Sequence, residues 1–216
     1  KTVKYDYDGN GTFEVVMQSQ LQADGSTVAT VTETNASGGV IAKGTITTST
    51  DGLITVLSKD STNDGVIDHK ETSVIHDDGS ITLTKVDLNA SSAVTQTIVD
   101  TVSALGSLTL RVTSDGQGRK TAQTVVAGDG SSVTTTYDAA SGQKLSVGNA
   151  NSDGILTSVF LYDPLNAQAW SWVEQYFDSA GRKTLEKQFN DDGTHVEITF
   201  LVTNGQQQRV SYFNAA

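Results

Sequence analysis

The chain of 216 residues contains no cysteine. Disulfides, thiolate metal sites and cysteine nucleophiles are thereby excluded. A chain without disulfides is compatible with the cytosol. Outside the cell it needs another staple, and bound calcium serves as one. Proline occurs once, at Pro164, so glycine has to make the turns. Aromatic residues are 6% and all hydrophobic residues 36% of the sequence. That predicts a thin core in a chain otherwise long enough to bury a large one. Positive charge is scarce too: 14 Lys and Arg face 25 Asp and Glu, for a net charge of −11. Nucleic acid and anionic membranes both require a positive surface, so neither is expected as a partner. No apolar run reaches the roughly 18 residues of a membrane helix, and membrane insertion is not expected. No charged-then-apolar leader occurs, which puts any secretion signal outside this sequence. The opening segment, Lys1-Thr-Val-Lys-Tyr5, is strand-like from its first residue, as expected of a piece of a longer parent chain with neighbouring domains.

What is present is glycine at regular intervals. Turns centred on Gly11, Gly25, Gly38, Gly52, Gly65, Gly79, Gly106, Gly118, Gly130, Gly142, Gly154, Gly181, Gly193 and Gly205 recur with a period of about thirteen residues. The two gaps, at Asn89-Ala90-Ser91 and Asp163-Pro164, hold other turn formers. One strand plus one turn fills each period. The Asn-Gly and Asp-Gly pairs are expected to supply the positive φ of tight hairpins.

A longer period overlies this one. Asp6-Tyr-Asp-Gly-Asn-Gly-Thr-Phe-Glu14 superimposes on Asp60-Ser-Thr-Asn-Asp-Gly-Val-Ile-Asp68 at a shift of 54 residues. The same shift carries Asp24-Gly-Ser26 onto Asp78-Gly-Ser80, and Asn35-Ala-Ser37 onto Asn89-Ala-Ser91. Residues 1–112 therefore read as two four-strand repeats. Residues 113–216 diverge: Gly118-Arg-Lys-Thr121 matches Gly181-Arg-Lys-Thr184 at a shift of 63 residues, with the extra length around Leu161–Val173. No spacer separates the halves, so the second is expected to continue the sheet of the first.

Between turns the apolar residues alternate. Phe13, Val15 and Met17 share one side of their strand, as do Leu108, Leu110 and Val112, and Val196, Ile198, Phe200 and Val202. Period two with one apolar face predicts an antiparallel meander of about sixteen strands, an all-β fold. Laid flat, such a sheet would leave its apolar face wet. It is expected to curl or to fold into two layers, or alternatively to form propeller-like four-stranded units.

The strongest chemical signal is the first loop of the long repeat. Asp6, Asp8, Asn10 and Glu14 stand at relative positions 1, 3, 5 and 9, with Gly11 at 6 and the Thr12 carbonyl at 7. Alternating oxygens around a sharp glycine turn wrap a hard cation, so Ca2+ is the expected cofactor. Met17 stands where an EF-hand has its last Glu, and strands flank the loop, which makes it a hairpin loop. The second copy offers Asp60, Thr62, Asp64, the Val66 carbonyl and Asp68, with Thr62 a weaker ligand than Asp8. A third run, Asn149, Asn151, Asp153, Gly154 and Thr157, has little charge and reads as a polar turn.

Other chemistry is sparse. His69, His76 and His195 are scattered and read as surface strand residues. No P-loop, nucleophile elbow or zinc motif occurs. No pair of carboxylates is singled out, and no enzyme activity is expected. Trp170, Trp172, Tyr176 and Phe177 form the one aromatic cluster. Alternation puts both indoles on one side, where they serve as core or, alternatively, as a face that binds carbohydrate. Asp163-Pro164 reads as a proline turn, with self-cleavage there as a minor alternative.

The repeat Asp-x-Asp-Gly-Asn-Gly-x-x-Glu, followed by Asp-Gly-Ser, Asn-Ala-Ser-Gly and Thr-Asp-Gly-Leu, resembles tandem repeats of very large bacterial secreted calcium-binding proteins, the RTX-like exoproteins and adhesins. The second half resembles YD (Rhs-like) repeats through Tyr137-Asp138-Ala-Ala-Ser-Gly142, Tyr176-Phe-Asp178-Ser-Ala-Gly-Arg182 and Asp191-Asp-Gly-Thr194. No Gly-Gly-x-Gly-x-Asp run is present, so a parallel β-roll is not implied. The resemblance implies an extracellular or cell-surface, non-enzymatic module. Its expected partners are calcium and carbohydrate or another protein.

Overall fold

The computed structural model describes residues 1–201 and 206–215. They form an all-β chain with no helix and antiparallel pairing throughout. The strands are β1 (Thr2–Tyr5), β2 (Val15–Leu21), β3 (Thr27–Thr34), β4 (Val40–Thr48), β5 (Ile54–Asp60), β6 (His69–Ile75), β7 (Ile81–Leu88), β8 (Val94–Val102) and β9 (Leu108–Asp115). They continue as β10 (Lys120–Val126), β11 (Ser132–Tyr137), β12 (Lys144–Ala150), β13 (Leu156–Tyr162), β14 (Trp170–Phe177), β15 (Lys183–Asn190), β16 (His195–Phe200) and β17 (Gln207–Phe213). The meander read from the turn spacing is present. Val202 and the turn at Asn204-Gly205 lie outside the described residues.

The first residues of β2 to β5 and of β6 to β9 are Val15 and His69, Thr27 and Ile81, Val40 and Val94, and Ile54 and Leu108. Each pair is 54 residues apart, so strand boundaries follow the long sequence period.

The hairpins use a different turn from the one expected. In Gln22-Ala23-Asp24-Gly25-Ser26, the Gly25 amide donates to the Gln22 carbonyl at 3.1 Å, and the Gln22 amide to the Ser26 carbonyl at 2.8 Å. Only Gly25 has positive φ, +86°. This is a type I turn closed by a left-handed residue, in which Asp24 keeps negative φ. Its carboxylate instead accepts from the Ser26 amide at 2.9 Å and hydroxyl at 2.7 Å. The same pair of bonds joins Asp78 to Ser80, Asp129 to Ser131 and Asp192 to Thr194. A second hairpin class places the acceptor first: Asn35 Oδ1 caps the amides of Ser37 and Gly39, and Asn89 Oδ1 those of Ser91 and Ala93. Where glycine is missing, Ser92 and Asn166 take the left-handed position, with φ of +59° and +51°.

The chain divides into two compact units. One comprises Lys1–Leu108 with Thr113–Gly118, the other Thr109–Val112 with Arg119–Ala216. In the first, β1 to β8 pair in sequence order. In the second, β10 to β17 do the same. Among the described residues, no strand of either unit lies against any strand but its hairpin neighbours. Each unit is thus an open meander of hairpin-paired strands, the single sheet of the curl-or-fold expectation and not two packed layers, among the described residues. A single layer cannot enclose side chains: among the described residues the only buried hydrophobic ones are Ala29, Ala42 and Val173, and no large side chain is fully enclosed. Stability has to come from backbone ladders and from cross-strand pairs.

Candidate functional site

The loop between β1 and β2 is built around its carboxylates. Asp6 accepts from the Gly9 amide at 2.7 Å through Oδ1 and from the Gly11 amide at 3.0 Å through Oδ2. These bonds hold the loop in a tight curl that Gly9 and Gly11 permit by positive φ, +73° and +85°. Asp8 accepts from the Asn10 amide and from its Nδ2, and Asn10 Oδ1 accepts from the Thr12 amide at 2.7 Å. From the far side Glu14 reaches back, its Oε2 accepting from the Tyr7 amide at 2.7 Å.

Asp6, Asp8 and Glu14 are thereby brought together, with one oxygen of each within 4.8 Å of the others. Oxygens bound to one calcium at 2.3–2.6 Å lie at most about 5 Å apart, so the spacing fits that ion. Glu14 Oε1 is enclosed and has no hydrogen-bond partner. A buried carboxylate oxygen left unpaired is costly, and a cation would satisfy it. The other oxygens accept one amide each and keep a lone pair for a ligand bond.

The second copy, between β5 and β6, keeps the framework without the convergence. Asp60 is 5% exposed. Its Oδ2 accepts from the Gly65 amide at 2.8 Å, and its Oδ1 from the Asp64 amide at 3.2 Å. Burial raises the Asp60 pKa, but the amide bonds outweigh it, and the carboxyl sits below its ordinary value. Asp68 Oδ2 accepts from the Ser61 amide, and Asp64 Oδ1 from the Val66 amide. Thr62 Oγ1 lies 3.5 Å from Asp60 Oδ1. Among the described residues, only Asp6, Asp8 and Glu14 form a group of three acids or histidines close enough to share an ion. At the third run, Asn151 Oδ1 accepts from the Asp153 and Ile155 amides, an ordinary hairpin turn.

The aromatic cluster departs from expectation. Neither indole is buried: Trp170 is half-exposed and Trp172 is 39% exposed. Nor do they share a side. Trp170 pairs with Asn190 and Trp172 with Phe189, with a bulge between. The extra residue shifts the alternation and turns the two rings to opposite faces. On the Trp172 face a row of rings crosses four strands. Trp172 stacks on Phe189 with centroids 4.4 Å apart, Phe189 lies 5.4 Å from His195, and His195 lies 4.1 Å from Phe213. Phe189 and His195 are covered on both faces by their neighbours, so the row offers no broad flat platform to a sugar. Tyr176 lies further along the same face, edge-on to Phe160, its hydroxyl donating to Glu174 at 3.0 Å. Burial, and then that bond, push its phenol pKa up. Phe189 and Phe213 carried no sequence expectation, and His195, read as a scattered surface strand residue, instead stacks between them. Phe189 and His195 flank the five-residue turn 190–194, a position that makes them direct partners, and that signal was available.

The remaining residues are separate. His69 Nδ1 lies 2.7 Å from Asp87, and His76 Nε2 lies 2.8 Å from the Thr82 hydroxyl. Asp163 accepts from the Gln168 amide at 2.6 Å and closes a turn onto Asn166.

No family model matches this chain, and no curated protein matches it. Among solved structures it is similar to a porin-like protein from Bacteroides uniformis ATCC 8492, at 11% identity and a TM-score of 0.21, over 93% of this chain and 94% of that one. So low a score carries no argument about this protein. Among the described residues, no helix is long and apolar enough to cross a membrane.

Proposed function

We propose that the chain is a non-catalytic structural and interaction module of a secreted bacterial protein, with calcium at loop 6–14 setting its rigidity. The observation that carries the reading is the meeting of Asp6, Asp8 and Glu14, together with an enclosed Glu14 oxygen that has no hydrogen-bond partner. Bringing three carboxylates together raises mutual repulsion, and a divalent cation offsets it. An ion bound there would tie β1 to β2 across the loop that joins them. The acidic composition supports an extracellular setting, where calcium is abundant, and without cysteine a bound ion is the staple left to the chain there. The thin core supports a scaffold role over a catalytic one, since a single layer does not enclose the reacting groups that catalysis desolvates. The RTX-like and YD-like sequence patterns are consistent with this reading.

Binding to the folded state alone stabilises by about 2.7 kcal/mol at a hundredfold excess over Kd. Calorimetric titration should therefore show one calcium equivalent, and calcium should raise Tm. A wild-type protein that takes up no calcium at millimolar concentration would sink the proposal.

A further inference from the structure

The face of β3, β4 and β5 that carries Asp60 holds an open groove of about 360 Å³, its exposed lining more apolar than polar. Its floor is a grid set by register. Thr30, Thr45 and Ser58 stand directly opposite one another across three strands, and Thr32, Lys43 and Asp60 form the next row. Directly paired residues face the same side at about 5 Å, and rows two residues apart lie about 7 Å from each other. Gly65 and Ile67, from the loop after β5, line the groove beside the grid.

The hydroxyls of Thr30, Thr32, Thr45 and Ser58 and the Lys43 ammonium form no hydrogen bond or ion pair with any described residue. The neighbouring Asp60 carboxylate does not fill them, since its oxygens hold the loop amides. The groove thus carries four groups that both donate and accept, and one that only donates. Lys43 and Asp60 cancel in charge, so the floor attracts neither an anion nor a cation. Threonine methyls, Val31 and Ile67 make the larger part of the exposed lining, with the polar groups set between them.

We infer that this groove is a binding site for a neutral sugar, a hexose unit of an uncharged polysaccharide. Sugar hydroxyls are donors and acceptors at once and match a grid of hydroxyls of the same kind. The sugar's C–H face meets the methyl groups. A peptide would look instead for a strand edge or an apolar pocket, and a nucleic acid for excess positive charge. The volume is at the lower end of ligand sites, room for one or two rings. With no aromatic ring in the lining, binding is weak, with Kd on the order of 1 mM. This site is independent of the calcium proposal and of the Trp172 row.

The test is amide chemical-shift titration of the whole chain with maltotetraose, cellotetraose and a galacturonate tetramer. At least one of the two neutral sugars should give saturable shifts centred on residues 30–32 and 43–45. Thr45→Val keeps shape and strand preference but removes one hydroxyl, and it should weaken binding about fivefold, the worth of one neutral hydrogen bond. Lys43→Gln should weaken it similarly. Thr84→Val, outside the groove, should leave affinity unchanged and serves as the check on folding. The inference fails if neither neutral sugar gives saturable shifts by about 20 mM, or if only the charged tetramer binds. It fails too if the shifts cluster at Trp172, or if Thr45→Val and Lys43→Gln both bind as wild type does.

Discussion

Loops 6–14 and 60–68 have the same length and the same framework bonds, yet only one gathers its carboxylates. In both, the first Asp accepts from the glycine amide five residues on, and the last acid accepts from the second residue's amide. Three of their sequence differences bear on the convergence. The last acid is Glu14 in one and Asp68 in the other, one methylene shorter. The third position is Asp8 in one and Thr62 in the other. The left-handed residue is Gly9 in one and Asn63 in the other, and Asn63 Nδ2 donates to the Val40 carbonyl at 3.2 Å, pinning its loop to β4. Each loop carries three carboxylates, so the spacing of oxygens builds the curl, while the reach of the last acid and the position of the third carboxylate decide whether they converge. In the second loop the carboxylate of Asp60 acts as a cap for backbone amides.

The largest effect should come from removing the acid that completes the first loop. Glu14→Gln should lower calcium affinity at least tenfold in calorimetry, while Asp68→Asn leaves the calcium isotherm unchanged. The opposite ranking would reverse the comparison. Next is a transplant: Thr62→Asp with Asp68→Glu should give a second calcium equivalent. If stoichiometry stays at one, then the Asn63 anchor or the burial of Asp60, and not the ligand set, separates the loops.

Smaller effects are expected from the left-handed positions. Asn63→Ala loses both a tolerated positive φ and the bond to Val40, a cost of about 1–2 kcal/mol in chemical denaturation. Gly9→Asn, which copies residue 63 into the first loop, should cost about 1 kcal/mol: no atom stands within 4 Å of the added Cβ, but a side chain at φ of +73° is strained even for Asn.

The smallest effect concerns acid. The carboxyls of Asp24, Asp78, Asp129 and Asp192 are held below their ordinary value, first by the hydroxyl and then by the amide of the Ser or Thr two residues on. A lowered folded pKa gives stability that is present above the unfolded value of about 4 and is lost as pH falls through the folded value. Tm should therefore decline as pH drops below about 4, and Asp78→Asn should shallow that decline slightly. A double change, Asp78→Asn with Asp192→Asn, that leaves the decline as steep as in wild type would assign it to other groups.

Much of the fold was legible because its signals are local. A glycine every thirteen residues or so, with apolar alternation between, specifies strand, turn and strand again without reference to distant contacts. The 54-residue shift located the strand starts of β6 to β9 from those of β2 to β5. The first loop was legible for the same reason, since Asp6, Asp8 and Glu14 lie within nine residues. The fate of the indoles was not legible. One extra residue between Trp170 and Trp172 reverses a side chain's face, and no local pattern marks where a bulge falls. The failure of the two-layer expectation has a related cause. Half-apolar strands show that a face seeks cover, but not what covers it.

By itself, then, the sequence determined antiparallel strands, their ends, the capped hairpins and the loop able to gather oxygens, all through interactions within a few residues. The tertiary structure alone decided which rings stack across β14 to β17, which of two similar loops assembles three carboxylates, and that Thr30, Thr45 and Ser58 share one row. Those outcomes depend on register between strands and on loop anchoring. A shift of one residue there exchanges one face for the other.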